Sequence, residues 1–269
     1  RKDRLRLVYL AGAAAEPLTD AVAALFRSLN EEEHAVWATV LTGGVTPDDI
    51  DAASHEVGPV DACRWHDQGR VLVPGTRVRP LEIAVTASPI RHNGTYLLTG
   101  GMGALGFALA RHLSRAYAAR LLILGTRPIE DVQERIEVLR KLGGDATYVS
   151  LDIAKPGASA ALAAVLADLS RLDGVVHCAG TTRDCLLRFK TETDAAAVVA
   201  PKADGIHLLD EATARFKLDF FVAYSSISGL FGNAGQTDYA FANAYLDAFM
   251  RRRQTAVSRG ERSGTSVSI

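Results

Sequence analysis

With 269 residues, 48% of them hydrophobic, the chain has enough material for one large or two modest domains, each with a substantial core. Its 30 Lys and Arg balance 31 Asp and Glu, which excludes a global field that would recruit nucleic acid or an anionic membrane and leaves any partner to be recognised locally. No run reaches the length of a membrane-spanning helix, the opening RKDRLR lacks the features of a signal peptide, and Cys63, Cys178, Cys185 and the seven histidines form no C-x-x-C or H-x-x-x-H pattern, so the expectation is a cytoplasmic chain with no disulfide framework and no metal.

In chain order, Leu5–Leu10 reads as a strand, Leu18–Leu29 as an amphipathic helix and Val36–Leu41 as a second strand. Thr46-Pro47-Asp48-Asp49 starts a helix, with Thr46 as its N-cap, Pro47 in the first helical position and acids in the first turn. Ala62–Trp65 and Val71–Val73 read as a hairpin across His66–Arg70. The rhythm is that of a nucleotide-binding fold, yet it holds no glycine-rich phosphate turn. Residues 1–93 are therefore expected to be a structural companion that closes on a linker at Pro80–Asn93.

From Gly94 onward the pattern alternates strictly, with strands at Tyr96–Thr99, Leu121–Leu124, Ala146–Leu151, Gly174–His177 and Phe220–Tyr224 and helices between them. That is the pattern of a Rossmann-like, doubly wound parallel sheet covered on both faces. Thr99 ends the first of these strands. Gly100, Gly101, Gly103 and Gly106, with Leu105 among them, then crowd a turn that opens onto a helix-like run at Phe107–Ala118. Without Cβ atoms the backbone can approach a pyrophosphate, whose charge the helix N-terminus meets. A plain strand-to-helix turn would also use such glycines, and the second strand decides between the two readings. At its end stand Thr126 and Arg127, where an acid would take the 2′-hydroxyl of NAD and a guanidinium can grip the 2′-phosphate of NADP. NADPH is the expected cofactor; otherwise Arg127 is a surface arginine opening the loop before Pro128.

Asp152 and Ile153 close the third strand, and the carboxylate either accepts from the adenine amino group or is a solvated turn aspartate. Cys178, Ala179 and Gly180 close the fourth with small residues that let a cofactor lie against the backbone. His177 and Cys178 suggest a base and a nucleophile, but strand neighbours face opposite ways, so Cys178 reads as a buried small residue. Arg251–Arg253 is expected to end a helix on a solvated face.

In the stretch SSISGLFGNAGQTDYAFAN, Ser226 ends a buried strand, Tyr239 begins a helix thirteen residues later, and Asn243 lies one turn further on the same face. This resembles the short-chain dehydrogenase/reductase family, in which the tyrosine protonates a carbonyl oxygen, the serine holds that oxygen and NADPH delivers hydride. A phenol with a pKa near 10 requires an ammonium beside it to work at neutral pH. The family's usual lysine, four residues after the tyrosine, is Asn243 here. That departure resembles the ketoreductase domains of modular polyketide synthases, which place Asn there and carry the lysine on the preceding helix in a P-K-x-x-G setting, here Pro201-Lys202-Ala203-Asp204-Gly205. The resemblance implies that Lys202 serves Tyr239 and that Asn243 positions Lys202 or a relaying water. Without it, Lys202 would read as an ordinary helix-surface lysine.

T-G-G-x-G-x-L-G, H-x-A-G, A-P-K-x-x-G, S-S-x-S-G and G-Q-x-x-Y-A-x-A-N-A-x-L-D occur in that family's order. The first part resembles the C-terminal portion of its structural subdomain, down to R-W-H-D-Q-G-R-V-L-V-P. The family's first structural strands are not matched, nor are the strand and substrate lid expected after Ile269. Residues 94–269 are thus expected to be the catalytic subdomain without its lid. The implied activity is NADPH-dependent reduction of a β-ketoacyl chain, held as a thioester on an acyl carrier protein, beside other polyketide synthase domains in an antibiotic-type pathway. A redox-silent domain of a megasynthase and a free-standing reductase of a small ketone are the alternatives. Family members giving the D alcohol carry Leu-Asp-Asp after H-x-A-G, and those giving the L alcohol carry Trp eight residues before the tyrosine. Here Thr182-Arg183-Asp184 keeps only the last acid and Phe231 replaces the Trp, so a D product is expected. The other reading makes Asp184 a helix N-cap ahead of Leu186 and Leu187.

Overall fold

The computed structural model describes residues 5–12, 17–55, 63–67, 70–72 and 88–269. The first part runs β1 (Leu5–Ala11), α1 (Leu18–Glu32), β2 (Val36–Gly43), α2 (Pro47–His55), β3 (Cys63–Asp67) and β4 (Arg70–Leu72). It continues with β5 (Thr95–Thr99), α3 (Ala104–Tyr117), β6 (Arg120–Gly125), α4 (Gln133–Lys141), β7 (Asp145–Ser150), α5 (Ala158–Ala167) and β8 (Gly174–His177). The last elements are α6 (Glu192–Thr213), β9 (Phe220–Ala223), the one-turn α7 (Ser228–Phe231), α8 (Thr237–Ser258) and β10 (Thr265–Ser268). Thr46 caps α2 as its sequence predicts: Thr46 Oγ1 accepts the Asp49 N–H at 3.3 Å and Asp49 Oδ2 accepts the Thr46 N–H at 2.8 Å. Of the hairpin and linker read from the sequence, Ala62, Gln68, Gly69, Val73 and residues 80–87 lie outside the described residues.

Contacts divide the chain into two compact units, one taking residues 1–85, 182–199 and 226–249, the other 86–181, 200–225 and 250–269. Unlike the linear partition at residue 93, this division interleaves the chain, and α6 and α8 each contribute to both units. In the first unit a sheet runs in the order β1-β2-β3-β4. β1, β2 and β3 are parallel, with Leu5 opposite Val36 and Val40 opposite Cys63, and β4 is antiparallel to β3. The α1 side chain Asn30 braces β2, accepting the Ala38 N–H at 2.9 Å and donating to the Ala38 carbonyl at 3.1 Å. Ala24 of α1 packs with Ala240 and Ala244 of α8, three side chains small enough to let the two helices come close.

In the second unit six strands run in the order β10-β9-β8-β5-β6-β7, every neighbour parallel. The inner strands are covered on both faces and are therefore apolar: Tyr96, Leu97, Leu98, Leu121, Ile123, Val175 and Phe221 are fully buried. This is the dinucleotide-binding order, whose crevice opens at the carboxyl ends of the two central strands, here β5 and β8.

Two expectations are corrected here. The sequence reading left out β10, a four-residue strand paired to β9 from Thr265 opposite Phe220. The triplet Arg251–Arg253 does not end its helix, since α8 continues to Ser258, and although Arg251 and Arg252 are exposed as expected, Arg253 is buried. Its Nε donates to Asp210 Oδ1 at 2.7 Å, its Nη1 to Ser266 Oγ at 2.7 Å and its Nη2 to the Ser263 carbonyl at 3.1 Å, while the guanidinium lies over the Phe221 ring at 4.3 Å. Arg253 thus fastens β10 and α6 to α8, work that a basic triplet in sequence does not reveal. Replacing Arg253 with Ala is expected to cost about 1–3 kcal/mol, since it removes the donor to Ser266 Oγ and the Ser263 carbonyl and leaves Asp210 to Arg262 alone, whose Nε lies 3.1 Å from its Oδ2. Urea denaturation measures this, and a loss within about 0.5 kcal/mol would return Arg253 to the solvated class.

Candidate functional site

The glycine turn follows β5 directly. Gly100 has φ +65° and packs so closely on the end of β8 that a Cβ would lie 2.8 Å from the Ala179 Cα. At Gly106 a Cβ would stand 2.6 Å from the Gly100 carbonyl oxygen, so only glycine lets α3 begin this near the strand. Gly101 is buried with Ile123 against it, while Gly103 and Leu105 are exposed. Gly103 is the N-cap of α3, and neither a capping side chain nor an acid occupies the first turn. The N–H groups at this helix start are therefore left for an anion. Thr99 turns inward instead, its Oγ1 2.7 Å from His177 Nδ1.

At the end of β6, Thr126 and Arg127 are exposed. The Tyr148 hydroxyl on β7 donates to the Arg127 carbonyl at 2.7 Å and so places this backbone. The guanidinium of Arg127 donates to the carbonyl of Met102 inside the glycine turn, and so does that of Arg135 on α4, which also stacks on Phe107 at 4.9 Å. Two cations thus converge on one neutral acceptor. Arg135 was invisible in the sequence because nothing in its own neighbourhood ties it to the turn. Asp152 Oδ1 accepts the Ala154 N–H at 3.0 Å in a tight turn, and Ile153 is buried.

The end of β8 is arranged around Lys202. This side chain is 4% exposed, and its Nζ donates to the Tyr224 carbonyl at 2.6 Å, two residues before Ser226. It is therefore not the surface lysine that the sequence left as an alternative. Gly180 makes room for it, since a Cβ there would come 3.0 Å from Lys202 Cε. Gly205, the glycine of P-K-x-x-G, lets α6 sit on Ile153, whose Cδ1 would be 2.8 Å from a Cβ. Burial, and then the Lys202 ammonium, push His177 down to about 3, partly offset by a backbone bond to Pro201. Burial pushes the Cys178 thiol up to about 12, although Lys202 acts the other way. A neutral histidine bonded to Thr99 and a protonated thiol are not a base and its nucleophile.

Ser226, Tyr239 and Asn243 belong to the first unit. Ser226 Oγ accepts from the Ser228 N–H at 3.2 Å and from the Ser228 hydroxyl at 3.1 Å, which leaves its own hydrogen to be given elsewhere. Tyr239 is half-buried in the first turn of α8. Asn243 is buried, and its Nδ2 donates to the Tyr239 carbonyl one turn back at 2.8 Å. Asp184 is not a helix N-cap: the helical turn nearby is a 3₁₀ turn at Leu187–Phe189 preceded by Leu186, and Asp184 Oδ2 instead accepts from Gln236 Nε2 at 2.9 Å. Phe231 is 56% exposed, beside the exposed Ile227 and Leu230.

One pair here escaped the sequence reading. Lys190 Nζ lies 3.0 Å from Asp238 Oδ2 with both side chains buried, and Asp238 Oδ1 accepts the Tyr239 N–H at 2.9 Å. The only signal was an acid in the first turn of a helix, which dipole and capping explain equally well. Among the described residues no group of three or more His, Cys, Asp or Glu is placed to hold a metal, and no helix is long and apolar enough to cross a membrane.

A family model described as "KR domain" matches residues 94–268. The polyketide synthase PksN of Bacillus subtilis (strain 168) is 40% identical over 184 residues, 67% of this chain and 3% of that protein. The polyketide synthase GfsA of Streptomyces halstedii is 40% identical over 234 residues, 82% of this chain and 3% of that protein. A crystal structure of a ketoreductase domain from the bacillaene assembly line superposes with a TM-score of 0.84 at 29% identity, covering 98% of this chain and 65% of that one. The chain therefore spans a small fraction of the synthases it matches.

The depressed His177 value makes acid a denaturant. In the folded state the imidazole stays neutral down to about pH 3, whereas in the unfolded chain it takes a proton below its ordinary value near 6.5. Stability is expected to fall by about 1.4 kcal/mol for each pH unit below 6.5, or about 2 kcal/mol by pH 5. In urea titrations at pH 7 and pH 5, His177→Gln is expected to remove that part of the slope. An unchanged slope would mean that His177 titrates normally in the folded protein.

Proposed function

Because the chain belongs to the KR domain family of ketoreductases, within the short-chain dehydrogenase/reductase superfamily, we propose that it reduces a β-ketoacyl thioester, carried on an acyl carrier protein, to the β-hydroxyacyl thioester with NADPH. The partners are that carrier and the neighbouring domains of a polyketide synthase. Residues 1–93 are assigned to a structural subdomain and 94–269 to the reductase, a division supported by the span of the family match. The observation that carries the reading is Lys202. A buried ammonium is costly, and a domain without chemistry has no need to clear space for one at Gly180 and seat it on the Tyr224 carbonyl.

The residues suit the cofactor. Uncapped N–H groups at the start of α3, with no acid nearby, fit a pyrophosphate, and Thr99, Gly100, Gly101, Gly103, Leu105 and Gly106 form or flank that turn. Arg127, next to Thr126, would hold the 2′-phosphate, and the two guanidiniums that share the Met102 carbonyl supply a field suited to a dianion. Asp152, one of whose oxygens accepts the Ala154 N–H, and the buried Ile153 would hold the adenine. Cys178, Ala179 and Gly180 present a low backbone edge.

When bound, NADPH supplies the hydride for the β-carbon. The chain supplies the rest. Tyr239 gives its phenolic proton to the ketone oxygen, and Ser226, whose oxygen is already engaged by Ser228, donates its hydroxyl hydrogen to that same oxygen. Lys202 stabilises the phenolate left behind, and Asn243 holds the turn of α8 that carries Tyr239. Asp184, the acid kept after H-x-A-G, and Phe231, standing where the Trp of L-type members would be, support the D alcohol.

Tyr239→Phe is expected to abolish reduction of a diketide thioester while leaving NADPH affinity, followed by nicotinamide fluorescence, nearly intact; a comparable rate in the variant would overturn the assignment. Arg127→Ala is expected to weaken NADPH by one to two decades, as befits a charge-assisted contact worth about 1.5–3 kcal/mol, and to leave NADH almost unchanged. Equal losses for the two cofactors would show that Arg127 supports the fold.

A further inference from the structure

Three acids, Glu31-Glu32-Glu33, stand at the C-terminal end of α1, where the helix dipole disfavours them and no basic residue in the last turn offsets it. What Glu32 accepts explains its place. Its Oε1 takes the Gly235 N–H at 2.8 Å and its Oε2 takes the Leu187 N–H at 2.7 Å. One carboxylate thus brackets two separate segments, the loop at 184–187 and the turn at 233–236, through charge-assisted bonds. The segments are also bonded to each other, by the Cys185 N–H to the Gly235 carbonyl at 3.0 Å and by Gln236 Nε2 to Asp184 Oδ2 at 2.9 Å.

The same face of α1 locates the turn at two further points. Ser28 Oγ accepts the Asn233 N–H at 3.0 Å. Gly232, at φ +76°, lies so close to Arg27 and Ser28 that a Cβ would come within 2.8 Å of the Ser28 nitrogen. The turn then leads through Gln236, three positions before Tyr239, into α8. Every one of these contacts lies within the first unit, and the glycine turn takes part in none of them.

We infer that Glu32 is a positioning residue for the reaction proposed above, a reading on which this inference rests. By fixing the offset between the loop that carries Asp184 and the turn that leads to Tyr239, it sets the side from which the acyl thioester enters. That in turn sets which face of the ketone receives hydride. Residues 1–93 then contribute to stereochemical fidelity as well as to folding.

The test compares the full chain with Glu32→Gln, which keeps the shape but presents an amide NH₂ to one of the two N–H donors. The expected result is faster amide hydrogen exchange at 184–187 and 233–238, unchanged NADPH affinity, and about a tenfold rise in the minor alcohol stereoisomer from a diketide thioester, resolved by chiral chromatography. An active Glu32→Gln that keeps the wild-type stereoisomer ratio would overturn the inference. So would a parallel loss of thermal stability and NADPH affinity without a change in that ratio, the outcome of a merely structural role. Should Glu32→Gln not fold, Glu32→Asp, one methylene too short to span both donors, is read in the same way. A wild-type chain that leaves the ketone unreduced would overturn the functional reading and this inference with it, whereas an active wild type beside an equally selective variant overturns this inference alone.

Discussion

An ammonium inside a protein must be held by polar partners, because the alternative is several kcal/mol of uncompensated desolvation. Lys202 meets that condition through the Tyr224 carbonyl, with the missing side chain of Gly180 leaving room for its stem. Much of the surrounding arrangement follows from this one charge. It helps keep His177 neutral, so that residue is free to hold Thr99 and lock the ends of β5 and β8 together. The small residues at the end of β8 serve the lysine as much as any cofactor.

The strand order does the rest within the second unit. Because β5 and β8 are neighbours, the glycine turn after one and the Cys178-Ala179-Gly180 edge after the other meet, and Gly100 lies in contact with Ala179. The turn is electrostatically unfinished in a useful way. Its helix start lacks a cap and an acid, and two guanidiniums bond to its Met102 carbonyl. Both features favour an anion.

Periodicity revealed nearly every strand and helix, because strands buried on both faces and helices with one apolar stripe leave strong local patterns. The short, polar β10, TSVS, left none and was missed. The glycine turn, Ser226 and Tyr239 stood out in the sequence because the chemistry proposed for them asks for fixed residue types at fixed spacings. The burial of Lys202 was not, since it depends on Gly180, a residue far away in sequence. Arg253 was misread for the same reason: its partners Asp210, Ser263 and Ser266 come from other elements, and a basic triplet on a helix looks solvated until they are in place. Glu32 and the Lys190–Asp238 pair are likewise tertiary, with carboxylates that bind donors from segments no local pattern connects to them.

The central claim is that this chain passes hydride from NADPH to the β-carbon of a ketoacyl thioester while its own tyrosine supplies the proton. It is tested most directly with NADPH carrying deuterium at the transferable C4 position, a β-ketoacyl thioester and mass spectrometry of the product. The account predicts one deuterium on the β-carbon of the alcohol, lost from the cofactor in equal amount. An alcohol without deuterium, or an untouched ketone beside bound NADPH, would contradict it.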